Sequence, residues 1–146
     1  MSHVKTILIL FIVFLLISGC ENEVRVDQAT YNQMVSNRRL GLAYLEEERY
    51  SDAANEFKML VETAPNEPLG YANLGLTYMR MSGQLEQSEE WLQKALKLVP
   101  NDPDIRLLLA KVYELTNRKL QAVAALENTL KTHPDHLQIG RAPGSE

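Results

Sequence analysis

Three prolines, Pro65, Pro100 and Pro134, stand 35 and 34 residues apart and close three stretches that are variants of one another. They read LGLAYLEEERYSDAANEFKMLVETAP, LGLTYMRMSGQLEQSEEWLQKALKLVP and LAKVYELTNRKLQAVAALENTLKTHP. Aligned on the prolines, Leu40, Gly41 and Tyr44 fall on Leu74, Gly75 and Tyr78, then on Leu109, Ala110 and Tyr113. Farther along, Ala53 falls on Ser88 and Ala122, and Phe57 on Leu92 and Leu126. The second copy has one extra residue near Ser82-Gly83. A unit of this length cannot bury its own apolar face, so the copies must stack on one another.

Within each copy the apolar residues recur at helical spacing: Leu40, Tyr44 and Leu45, then Phe57, Leu60 and Val61 beyond a turn. Gly41, Ala53, Gly75, Ser88, Ala110 and Ala122 are small enough to let paired helices approach closely. Pro68 and Pro103 fit the first helical position, where a missing N–H costs nothing. Asp102 fits the N-cap before Pro103, accepting an orphan backbone N–H. Gly83 and Asn117 tolerate positive φ at the turns between paired helices. No segment alternates apolar and polar residues long enough for a strand, so the chain is expected to be all-α.

These copies resemble the tetratricopeptide repeat, a helix–turn–helix unit of 34 residues, over about Met34 to Asp135. The second copy is nearest the family pattern, with YANLGLTY placing Tyr71 where the family usually has tryptophan. The first and third copies have Asn37 and Arg106 there, and the third has Ala110 for glycine. The resemblance implies a right-handed α-solenoid of about three repeats, at 34–67, 68–102 and 103–136, followed by a tail at 137–146. It also implies a concave groove, lined by the first helix of each pair, that binds partner segments. The family's groove positions fall on Arg38, Leu42, Leu45 and Glu46 in copy one, and on Leu69, Ala72, Leu76, Met79 and Arg80 in copy two. In copy three they fall on Leu107, Lys111, Glu114 and Leu115. The polar clamp that some family members use for an acidic chaperone tail is not matched, because Leu42 and Leu76 take its polar positions. An apolar peptide or partner helix is therefore expected, with Arg38, Arg80 and Lys111 orienting a carboxylate at the edge.

The N-terminus carries a different message. Lys5 is followed by the unbroken apolar run ILILFIVFLLI, residues 7–17, and then by Ser18-Gly19-Cys20. Eleven residues of helix reach only about 16 Å, half a bilayer core, which fits a secretory leader better than a membrane span. LISGC resembles the lipobox of bacterial lipoproteins, whose cysteine is joined to diacylglycerol before the leader is cut off. By that resemblance residues 1–19 are a signal peptide and Cys20 is the lipidated N-terminus. Residues 20–33 form the lipidated cysteine and its tether, the polar stretch to about Tyr31 showing no apolar helical stripe. The setting implied is the bacterial cell envelope, outside the cytoplasm. Glu21 rather than aspartate after the cysteine would not retain the protein in the inner membrane of enteric-type bacteria, which favours the outer one.

Charge and chemistry narrow the function further. The formal net charge is −4, and loss of residues 1–19 removes only Lys5, leaving 14 basic and 19 acidic residues, a net −5. Nothing in that balance attracts nucleic acid. One cysteine cannot make a disulfide within the chain or a thiolate zinc site. His133 and His136 flank Asp135 with no further His or Cys at hand, so no metal and no cofactor is expected. No nucleophile elbow, HExxH or phosphate loop is present, and no enzyme activity is expected. The expected role is a membrane-anchored interaction scaffold or assembly factor. Its alternative is the N-terminal repeat module of a larger lipoprotein whose activity lay in a missing C-terminal region. After Asp135 only Leu137 and Ile139 could open another helix before Gly140, Pro143 and Gly144 stop it. The last hairpin is therefore expected to be incompletely covered, with residues 119–132 least protected, and to offer a face for homodimerisation.

Overall fold

The computed structural model describes residues 27–135, which form six α-helices and, among the described residues, no strand. They are α1 (Gln28–Glu46), α2 (Tyr50–Thr63), α3 (Pro68–Arg80), α4 (Leu85–Leu98), α5 (Pro103–Leu115) and α6 (Lys119–Thr132). The leader, Cys20 and the tail beyond Asp135 lie outside the described residues. Consecutive helices pair as antiparallel hairpins, α1 with α2, α3 with α4 and α5 with α6. The hairpins stack because α3 packs on α2 and α5 on α4. The expected all-α solenoid is the fold observed.

The core explains why single hairpins do not suffice. One cluster joins Ala53, Ala54, Phe57 and Leu60 of α2 to Leu74 of α3. A second joins Leu92 and Ala95 of α4 to Ala72 of α3 and to Ile105, Leu109 and Val112 of α5. Each cluster thus straddles the boundary between repeats. Burying one such leucine contributes about 1.5–3 kcal/mol, so stacking supplies much of the driving force.

Two small residues set the spacing inside the hairpins. A Cβ on Gly41 would lie 2.6 Å from the Phe57 ring, and one on Gly75 would lie 2.5 Å from Leu92 Cγ. Ser88, also at this contact, donates its hydroxyl to the Gly75 carbonyl at 2.7 Å.

Two of the three positions that differ from the family's tryptophan carry a polar tie between repeats. The Tyr71 hydroxyl donates to the Pro65 carbonyl at 3.0 Å. Arg106 reaches the Pro100 carbonyl at 2.6 Å and also donates to Asn128 on α6 at 2.7 Å. Asn37, at the same position in copy one, accepts from Gln33 at 2.7 Å, but its buried Nδ2 has no partner among the described residues. Farther along, Arg118 in the last turn pairs with Glu89 of α4 and lies 4.6 Å over the Tyr113 ring. Glu89, through that hydrogen bond above all, raises the Arg118 pKa.

The helix ends follow the expected chemistry. Asp102 accepts from the Ile105 N–H at 2.9 Å, and Glu67 caps α3 by accepting from Leu69 N–H at 3.1 Å. Gly83 and Asn117 adopt φ of 74° and 61°, as their residue types suggested. Glu48 holds φ at 59° in the equivalent turn of the first hairpin, which its residue type did not suggest.

One boundary departs from the reading of the sequence. Helix α1 begins at Gln28, inside the segment read as a tether. Asp27 caps it, accepting from the Ala29 and Thr30 N–H groups at 2.9 and 3.0 Å and from the Thr30 hydroxyl. Gln28 to Asn32 and Gln33 to Asn37 add side-chain bonds four residues apart. Local polar bonding, which leaves no apolar stripe to read, sustains these first turns.

Candidate partner-binding groove

The first helices α1, α3 and α5 follow one another along one surface: α3 packs against α5 and lines a cleft together with the end of α1. Arg38 and Leu42 are exposed on α1, as are Leu69 and Arg80 on α3 and Lys111 and Leu115 on α5. Leu76 and Leu107 are half-buried. Neither Arg38 nor Arg80 has a hydrogen-bond or ion-pair partner among the described residues, whereas Lys111 is held by Glu114 at 2.8 Å.

Of the residues assigned to the groove, one belongs to the core and two are shared with it. Ala72 is buried in the cluster around Leu92. Met79 is half-buried and packs against that cluster, and Leu45 packs against the cluster around Phe57. Their helical phase places them at the seam between hairpins, where a groove position and a core position are less than one turn apart.

Leu45, Leu76, Arg80, Leu107 and Lys111 are distributed over three clefts rather than one continuous trough, and Arg38, Leu42 and Met79 line none of the three. The first, of about 350 Å³, lies between α1 and α3, with Leu45 and Leu76 contributing apolar surface and Glu46, Glu48, Tyr50 and Arg80 completing the lining. Arg80 also borders a more polar cleft of about 420 Å³ with Ser51, Asp52 and Gln84. Leu107 and Lys111 line a separate cleft of about 200 Å³ against α6. Tyr50 and Glu48, the latter read in the sequence as part of a solvated acidic helix end at 46–48, are not legible there as lining residues, because they come from the turn and the start of the second helix. The only signal for them is the turn that brings the chain back across the end of α1.

Chemically, the first cleft offers an apolar floor for one side chain and a guanidinium free to take a carboxylate through two parallel bonds. Glu46 and Glu48 stand on the same lining and oppose a run of acidic residues. Beside the cleft, Arg49 is tied down: it pairs with Asp52 at 2.7 Å and Glu47 at 3.3 Å and lies 4.3 Å over Tyr44. The Asp52 hydrogen bond is the first cause of its raised pKa. Arg80 is thus the cation in these clefts left free for a ligand.

Among the described residues no three His, Cys, Asp or Glu side chains gather as metal ligands. His133 shares a 2.9 Å hydrogen bond with the Thr132 hydroxyl, and His136 lies outside the described residues. No helix among the described residues is long and apolar enough to cross a membrane.

Comparison with known proteins agrees with this architecture. Two family models, both described as tetratricopeptide repeat, match residues 38–103 and 79–142. The human protein O-mannosyl-transferase TMTC3 is 36% identical over 84 residues, which is 56% of this chain and 9% of that protein. An uncharacterized protein of Cyanophora paradoxa, ycf37, is 28% identical over 116 residues, 75% of this chain and 62% of its own length. The chain therefore spans only a small part of the transferase it matches. Among solved structures, the TPR2B domain of yeast Sti1 in complex with pHsp70 superposes with a TM-score of 0.68 at 15% identity, covering 74% of this chain and 86% of that one.

Proposed function

We propose that this chain, which belongs to the tetratricopeptide repeat family, is a lipid-anchored interaction scaffold of the bacterial cell envelope. In this reading it holds a segment of another protein in the cleft between its first and second repeats. The observation that carries the reading is the pairing of Leu45 and Leu76 with a free Arg80 in one cleft. That combination suits a peptide or helix end presenting one apolar side chain and one carboxylate. Glu46 and Glu48 argue against an acidic tail, as do Leu42 and Leu76 at the positions of the family's polar clamp. The pHsp70 bound by the Sti1 domain is thus not carried over to this chain, and neither is the activity in the transferase's name.

Capture of partners from membranes by the full chain tests the groove. The Leu42→Glu/Arg80→Glu variant changes two exposed residues, so its helicity should be unchanged while the captured partner is lost. Capture at the wild-type level by that variant overturns the proposal. Anchoring is a separate matter: Cys20 is proposed as the lipidated residue on the strength of the LISGC motif behind an apolar leader. Two or three acyl chains there would hold a soluble body to a bilayer, since one chain binds only marginally. Radiolabelled palmitate should mark the wild type and not Cys20→Ala; label retained in the variant refutes the assignment.

A further inference from the structure

The two ends of the array carry the two halves of an interface that the array already builds twice internally. Where α3 meets the first hairpin, Leu74 is buried in one cluster with Ala54, Phe57 and Leu60. Where α5 meets the second hairpin, Ile105, Leu109 and Val112 are buried with Leu92 and Ala95.

At the C-terminal end the positions matching Ala54, Phe57 and Val61 are occupied by Val123, Leu126 and Leu130, whereas Thr129, which matches Leu60, is already buried, and among the described residues no helix lies on this face. Leu126 is 40% exposed, whereas Phe57 and Leu92 at the matching positions are fully buried. Val123 and Leu126 line, with Leu107, Ala110 and Ala122, the cleft of about 200 Å³ between α5 and α6. At the N-terminal end the inserting positions of α1 are Ser36, Leu40 and Ala43. Leu40 is 43% exposed, against 0% for Leu74 and 7% for Leu109. These residues line a cleft of about 450 Å³ together with Tyr31, Val35 and Arg39. The exposed charges are of opposite sign as well. Arg39 on α1 and Glu127 on α6 are both exposed, and neither has a partner among the described residues.

We propose that a second copy of this chain docks its α1 on the α5–α6 hairpin, so that copies join head to tail in the register of successive repeats. A pairing of two α6 stripes would cover one end and leave Leu40 and Ala43 open, while the head-to-tail contact covers both with a geometry the sequence already encodes. Because the two surfaces differ, the contact is heterologous and propagates into a ring or an open chain. This inference is independent of the cleft reading, since it uses neither Leu76 nor Arg80.

The test uses the full chain carrying Cys20→Ala, so that an introduced thiol is the only one. One preparation carries Leu40→Cys and another Leu126→Cys, both at exposed sites, and a short thiol-to-thiol linker is added to each alone and to the mixture. The expected result is a linked dimer in the mixture and none in either preparation alone. Adding Leu130→Glu to the L126C chain should abolish it with helicity unchanged. Linkage of the L126C chains to themselves would mean a symmetric α6 contact. Absence of linkage in the mixture would mean that the chain's own residues 136–146, or another protein, cover the end. Either outcome overturns the proposal.

Discussion

At Gly75 the backbone of α3 runs so close to Leu92 that a methyl group has nowhere to go. Gly75→Ala should therefore cost about 1–3 kcal/mol through overpacking, read as a lower urea midpoint; an unchanged midpoint would show that α3 and α4 can separate freely. Glu48 presents the opposite case. It holds a left-handed backbone, φ 59°, that Asn117 adopts in the equivalent turn. Glu48→Asn should raise stability by about 1 kcal/mol, visible as a higher urea midpoint, and a fall would contradict the assignment of strain. Asp27 supplies the pH dependence. Thr30, first through its hydroxyl and then through its N–H, holds the Asp27 carboxyl below its ordinary pKa. A carboxylate favoured in the folded state stabilises above the ordinary aspartate pKa, and that contribution is lost as pH falls through the lower folded value. The helical NMR shifts of residues 28–31 should fade on acidification through that range, and Asp27→Asn should remove the transition.

Among the elements, α6 is the outlier. Leu120 is 88% exposed and Leu126 and Leu130 stand open, while Phe57 of α2 and Leu92 of α4, which match Leu126, are fully buried. Amide exchange in the dilute full chain should accordingly be fastest across residues 119–132 and slowest in α3 and α4; uniform protection would contradict this ordering. The repeat period, the turns at Gly83 and Asn117, the helix starts at Pro68 and Pro103 and the cap at Asp102 were legible because each rests on the chemistry of a few adjacent residues. The start of α1 was not, because hydrogen bonds of Asp27, Gln28 and Gln33 hold it rather than an apolar stripe. The split of Leu45 and Met79 towards the core was hidden for another reason. A small rotation of a helix decides whether a seam residue faces a groove or a neighbour, and periodicity does not resolve it. Tyr50 in the cleft lay beyond sequence reading because it enters from the neighbouring helix of its hairpin.

For the whole molecule, three hairpins that cannot stand alone become one scaffold because each core cluster belongs to two of them. The same stacking aligns α1, α3 and α5 and opens the cleft where Leu45, Leu76 and Arg80 meet. On the proposed function this face, and not the outer side of the second helices, engages a partner. The direct measurement is site-specific photo-crosslinking in living cells, with the photoreactive residue placed either at Leu42 on α1 or at exposed Lys97 on α4. A discrete protein adduct from position 42 and none from position 97 is the expected outcome. An adduct from position 97 alone, or none from position 42 in cells where the protein is membrane-bound and folded, would contradict the claim.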